Sequence, residues 1–132
     1  MELDALEPGV ELPYPLPTGA KIVTIEEARV SLKEATNVLM VLQAMSDEAH
    51  DLTEELEVLL DQLPMHDLHV MEVAEQLGGL VGQWQANVAR LEGIGARIVC
   101  MDPGRLVWYG VVDRRMALFS WGMGETDIEW YY

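Results

Sequence analysis

The stretch TIEEARVSLKEATNVLMVLQAMSDEAHDLTEELEVLLDQL, from Thr24 to Leu63, decides the fold. Its apolar residues fall at Ile25, Ala28, Leu32, Ala35, Leu39, Leu42, Met45, Ala49, Leu52, Leu56, Leu59 and Leu63. Every step is three or four residues, the period of one helical face. A helix of that length extends about 60 Å and cannot bury its own stripe, so the rest of the chain is read as its cover. Thr24 followed three residues later by Glu27 is a capping box, and Glu26 and Glu27 suit the positive end of the helix. Two three-residue steps adjoin at Leu39, Leu42 and Met45, and Ser46 and Asp47 follow directly. A kink there, or a restart with Ser46 as a second N-cap, stays open.

Pro64 ends the helix, because its ring clashes with the preceding turn and it has no N–H to donate. After the short Met65-His66 connection, Asp67 is an N-cap for a second helix to about Glu92, with Val70, Ala74, Leu77, Val81, Trp84, Val88 and Leu91 at four-three spacing. Gly93 and Gly95 suit its C-terminal cap. So short a connection makes an antiparallel hairpin. Equal rise in both helices sets Leu91 near Val38, leaving about four turns of the first helix, from Ile25, to be covered by something else.

The cover comes from beyond Gly95. Arg97 to Met101, Arg105 to Tyr109, Met116 to Trp121 and Ile128 to Tyr132 are short segments rich in β-branched and aromatic residues. Turn chemistry separates them at Asp102-Pro103-Gly104, Asp113-Arg114-Arg115 and Gly122 to Asp127. The expected fold is therefore α+β: a long antiparallel helical hairpin followed by a small C-terminal antiparallel β-meander packed on the start of the first helix. Residues 1–20, with Pro8, Pro13, Pro15 and Pro17, read as an extended Pro-rich acidic arm. Residues 21–132 read as a single domain, with helices over about 24–63 and 67–92 and the sheet over about 96–132.

Charge limits function more than any motif does. The chain carries 23 acids against 8 Lys plus Arg, a formal charge of -15, and no Lys or Arg lies between Lys33 and Arg90. Phosphate neutralisation needs the opposite sign, which excludes direct nucleic-acid binding and docking on anionic lipid. The single cysteine, Cys100, rules out an intramolecular disulfide and a Cys-rich zinc site. With no basic n-region and no apolar run near the length of a membrane span, the expectation is a soluble protein of a reducing cytoplasm, with no membrane partner.

The ending Trp121, Gly124, Glu125, Ile128, Trp130, Tyr131 resembles the W-x-x-G-E-x-x-I-x-aromatic-aromatic ending of an uncharacterised prokaryotic family catalogued as domain of unknown function 2203. Thr24-Ile25-Glu26-Glu27-Ala28 is similar to that family's opening, and Asp102, Gly104, Leu106 and Val107 to its middle turn. The resemblance implies a long helical hairpin followed by a small sheet, and brings no established activity. The chain departs from similar sequences at three positions: Trp108 where they carry an acid, Gly122 where they carry a base, and Tyr132 where they end in His. A site built on that polar trio would not carry over.

Tempting chemistry is answered by plainer readings. His66 and His69 with Asp67 and Glu72, and Asp47 with His50, have metal-ligand spacing, but hairpin geometry sets His50 and His69 about 15 Å apart along the axis. No metal is expected. Asp47, Glu48, Asp51, Glu54, Glu55 and Glu57 face away from the leucine stripe, forming a solvated surface and a candidate interaction face rather than a catalytic pair. Cys100 in an apolar strand is expected to be buried and inert. Gly78, Gly79 and Gly82 follow no strand, so they are no phosphate loop, and no cofactor is expected. With Ala86, Gly78 and Gly82 make a small-residue ridge for close helix packing. Trp108, Phe119, Trp121 and Trp130 are expected in the core. The leading reading is a non-enzymatic, self-associating module, a homodimer, that presents the acidic face to a basic protein partner. The alternative is a small enzyme or metal-dependent protein with its site at the sheet/helix-overhang junction, near Glu26, Arg29, Lys33, Arg97 and Arg105, where acids and bases converge.

Overall fold

The computed structural model describes residues 20–131, with backbone alone for Trp130 and Tyr131. The expected arm, apart from Ala20, lies outside the described residues, as do Tyr132 and the side chain of Trp130. In chain order the elements are β1 (Ile22–Val23), α1 (Ile25–Gln62), α2 (Leu68–Gly93), β2 (Ala96–Met101), β3 (Gly104–Val112), β4 (Arg115–Gly122) and β5 (Glu129–Tyr131). Two helices followed by a sheet make the fold α+β. Contacts divide the chain into two compact units, one of residues up to Leu39 and from Ala89 onward, the other Met40–Val88.

In the first unit, α1 starts where the capping box sets it. Thr24 N–H donates to Glu27 Oε1 at 3.0 Å, and Glu27 N–H donates to Thr24 Oγ1 at 3.1 Å. The bond from the Thr24 N–H holds the Glu27 carboxyl below its usual range, against a smaller upward push from burial. A carboxyl whose folded-state pKa is lowered contributes stability that is present above its unfolded pKa and is lost as pH falls through the folded value. Thr24→Ala is expected to cost about 1 kcal/mol in urea unfolding at neutral pH. The wild type's advantage over Glu27→Gln is expected to shrink in acid; an advantage independent of pH would show that the charged form of Glu27 is not what the cap holds.

β3 is the middle of the sheet. One edge pairs antiparallel with β4 from Arg105↔Gly122 to Val112↔Arg115. The other edge is shared: β2 lies antiparallel on it from Ala96↔Trp108 to Met101↔Gly104, and β1 runs parallel at Ile22↔Tyr109 and Val23↔Gly110. β5 pairs antiparallel with β4 from Leu118↔Tyr131 to Ser120↔Glu129. The expected antiparallel meander is thus β2 to β5, and β1 makes the sheet mixed. Ile22 and Val23 carry no strand signal in the sequence, since two residues have no period and their partners are remote in sequence; both are buried. Asp113 and Arg114, at φ 51 and 64, form the two-residue turn between β3 and β4, the primed geometry that matches strand twist.

The core of this unit is Trp108, Phe119, Leu106, Met116 and Trp121 from the sheet against Ala28, Ala35, Val38, Leu39 and Leu91 from the helices, all buried. Trp108 donates its indole N–H to Ser31 Oγ at 3.2 Å, and Ser31 Oγ donates to the Ala28 carbonyl at 2.9 Å. The sheet therefore packs on the start of α1. Arg90 reaches back to Glu34 at 2.9 Å. Of the two glycines suited to the α2 cap, Gly95 takes it at φ +91, donating its N–H to the Glu92 carbonyl at 2.9 Å. Gly93 stays inside the helix.

The second unit is the hairpin proper. α1 is one continuous helix through Ser46 and Asp47, both exposed, so the helix does not restart with Ser46 as a second N-cap. It ends at Gln62; Asp67 N–H donates to the Pro64 carbonyl at 3.0 Å, and Asp67 Oδ1 accepts the His69 N–H at 2.9 Å as the N-cap of α2. Glu55 faces His69 at 3.6 Å and Asn87 Nδ2 donates weakly to Met45 Sδ at 3.9 Å, which fixes the antiparallel sense. The buried line of α2 is Val70 and Val73, continued by half-buried Leu77, Leu80 and Trp84. Ala74 and Val81, placed in the stripe by spacing, are exposed. Apolar residues at both 73/74 and 80/81 let the sequence fit two stripes a residue apart, and the packing selects the other one.

Candidate functional site

The junction residues belong to the first unit, where three of the five are engaged separately. Arg29 Nε lies 3.4 Å from Asp127, Arg97 lies 3.6 Å from Glu92, and Arg105 lies 3.3 Å from Glu125. Arg105 also donates to Ser120 Oγ at 2.8 Å. Glu26 and Lys33 are exposed. Glu26 lines an open groove of about 450 Å³ with Lys21, Glu27, Val30, Glu34 and Ile94 among the other walls. Its charged groups face water, and Ser120 is the sole buried polar side chain among the described residues. A general acid or base tuned by burial needs the opposite arrangement.

The residues that carry the family resemblance at the end of the chain build a turn. Trp121 donates its indole N–H to the Glu125 carbonyl at 3.0 Å, Gly122 N–H donates to Glu125 Oε1 at 2.6 Å, and Gly124 sits at φ +100. A Cβ on Gly122 would come within 2.6 Å of both Arg105 Nη2 and Glu125 Oε1. The space a larger residue would take at 122 is filled by the guanidinium of its cross-strand partner Arg105. Trp108, the second departure, is a core residue.

In the hairpin unit, Asp47, Glu48, Asp51, Glu54, Glu55 and Glu57 are all exposed, as helical period required. Glu54 pairs with His50 at 3.2 Å and Glu55 with His69. Ten carboxylates lie between Met40 and Val88, with Asp61, Asp67, Glu72 and Glu75 completing the set, and that segment has no Lys or Arg. Exposed among them are Met40, Val58, Met65, Leu68 and Met71. Sequence reasoning missed an apolar hollow of about 140 Å³ lined by Met45, Ala49, Leu80, Val81 and Trp84. Its signal was the small Ala49 in a line of larger residues, which has meaning only once the facing helix is known.

Cys100 is exposed, against the expectation of burial. β2 lies on the rim of the sheet, and its register shifts between Ile98 and Cys100, so the extra residue Val99 turns both side chains out. Cys100 donates weakly to the Asp102 carbonyl at 3.4 Å. Among the described residues no three His, Cys, Asp or Glu side chains are grouped to hold a metal ion, and no helix is long and apolar enough to cross a membrane. Among known families, residues 21–132 match the one described as "Uncharacterized conserved protein (DUF2203)". No curated protein and no solved structure matches the chain.

Proposed function

Since the chain belongs to the DUF2203 family, whose description assigns no activity, we propose a function from its own surface: a non-enzymatic interaction module whose acidic hairpin binds a basic protein partner. The observation that carries this reading is the hairpin unit's ten exposed or half-exposed carboxylates with no Lys or Arg among them. In so uniform a field, like charges repel one another until an opposite surface arrives, which favours encounter with cationic partners and rejection of anionic ones. Self-association belongs to the same reading, supported by exposed Met65, Leu68 and Met71 around the helix turn. The alternative, an enzyme or metal-dependent protein at the junction near Glu26, Arg29, Lys33, Arg97 and Arg105, has less support because the three arginines serve separate pairs.

Salt separates the two associations. Affinity capture from native lysate is expected to enrich basic proteins at low salt and to lose them at high salt. Removing four charges together, Asp47→Asn, Asp51→Asn, Glu54→Gln and Glu55→Gln, at about 0.4 kcal/mol each for exposed pairs, should weaken capture roughly tenfold. Failure to enrich any protein in a salt-sensitive way sinks the acidic-face reading. Light scattering is expected to give a dimer mass, held or strengthened by salt since screening relieves the carboxylates; a monomer mass at micromolar concentration removes self-association and leaves the acidic face untouched.

A further inference from the structure

We propose that the chain's own N-terminal segment, residues 1–19, covers the face of the sheet opposite the helices. Strand register separates the two faces. Leu106 with Trp121 and Trp108 with Phe119 alternate onto one side, where the Trp108 indole reaches Ser31 of α1. Val107 with Ser120, Tyr109 with Leu118, and Arg105 alternate onto the other, where Arg105 donates to Ser120 Oγ. β1 is divided in the same way. Val23 turns toward Trp108, since a Cβ on Gly95 would meet both side chains, and Ile22, the partner of Tyr109, turns to the second face. A solvated sheet face is polar and wet, but this one is neither. Val107, Val111 and Leu118 are apolar, and Ile22, Val107 and Ser120 are only 5, 7 and 6% exposed. Helices packed on one face leave the other to a different cover.

Position, reach and charge assign that cover to residues 1–19. Ala20 and Lys21 lead directly into Ile22, so the segment joins the sheet at the rim of this face. Four of its residues are prolines, Pro8, Pro13, Pro15 and Pro17, and 19 residues at the roughly 3.1 Å rise of polyproline reach about 60 Å. Crossing from β1 over β3 and β4 to β5 takes only about 15 Å. Leu12, Tyr14 and Leu16 supply apolar side chains, and the prolines between them bring no N–H that would need a partner on an apolar face. The segment carries Glu2, Asp4, Glu7 and Glu11 and no Lys or Arg. The face it would cross carries Arg97 on β2, the partner of Val107, and Arg105 on β3, whose side chains keep 24 and 44% exposure. The hairpin unit, with ten carboxylates and no Lys or Arg, would repel the same segment. This cover involves no residue of the hairpin unit, so it stands or falls apart from the acidic-face reading.

Thiol labelling of the full chain tests it. In a Cys100→Ser background, Val107→Cys sets a single thiol beneath the cover, and Val58→Cys sets one on exposed helix surface as the control. Replacing Tyr14 and Leu16 together by Ser is expected to speed labelling of the Val107→Cys protein roughly tenfold or more, and to leave the Val58→Cys protein unchanged. An equal rate with and without the two anchors overturns the proposal. Protection of Val107→Cys that is lost on dilution also overturns it, since a second copy would then be the cover. A second measurement leaves the sheet as it is. In amide NMR spectra of the full chain, Tyr14→Ser with Leu16→Ser is expected to shift the resonances of Val107, Leu118 and Ser120 and to leave those of the hairpin unit in place. Unmoved resonances at those three positions overturn the proposal whatever the labelling variants do.

Discussion

Trp108→Ala is expected to cost about 3 to 5 kcal/mol of unfolding free energy, a large share of the roughly 5 to 15 kcal/mol that stabilises a domain. Trp108 is 0% exposed, it lies on the middle strand between Ala96 and Phe119, and its indole N–H reaches Ser31 on α1. Truncation removes the largest fully buried side chain of the sheet unit and opens a cavity among residues that strands on both sides hold in place. Trp108→Phe separates packing from the hydrogen bond. It keeps most of the aromatic surface, and Ser31 Oγ can still donate to the Ala28 carbonyl, so its cost should be about 1 to 2 kcal/mol. Urea unfolding followed by circular dichroism measures both, and a loss below about 1 kcal/mol for Trp108→Ala would contradict the central position assigned to this residue.

Gly110→Ala should also be severe, at about 3 kcal/mol, through overpacking rather than a cavity. A Cβ at this position would run into the ring of Phe119 and lie 2.7 Å from the Val23 carbonyl oxygen. Phe119 is fully buried, and Val23 is the Cα partner of Gly110 in the parallel pairing with β1. Relief must therefore come from a packed ring or from backbone, neither of which yields cheaply. If β1 detaches to make room, exchange of the Ile22 and Val23 amides should accelerate in the variant more than that of the hairpin unit. Wild-type stability in Gly110→Ala would show that β1 does not approach the sheet this closely.

Where the fold was legible in sequence, the signal was local. Thr24 and Glu27, three residues apart, make their own two hydrogen bonds, and Pro64 with Asp67 closes a turn within four residues. The strand segments after Gly95 carry their turns with them. What sequence reading missed depended on partners far along the chain: β1 has meaning only beside Tyr109 and Gly110, and the buried face of α2 was a choice between adjacent apolar residues that α1 makes. The exposure of Cys100 followed from a register shift that composition does not encode. Of the candidate surfaces, the acidic face was readable because exposure on a helix follows from spacing. The hollow was not, since it arises from the volume Ala49 leaves opposite Leu80, Val81 and Trp84. The arginines gathered in sequence around the junction gave no hint of which acid each would select.

The shared edge of β3 has a consequence for the order in which the chain can mature. Because Ile22 and Val23 pair with Tyr109 and Gly110, the whole sequence of both helices lies between the paired residues. During synthesis from the N-terminus, the first turns of α1 leave the ribosome well before their cover, and Ala28 and Ala35 stay wet until β3 has emerged. The residues of the hairpin unit have all been made by Val88, so that unit can form earlier. Its carboxylates then give the unfinished chain a charged, mutually repelling surface while the apolar start of α1 waits for its sheet.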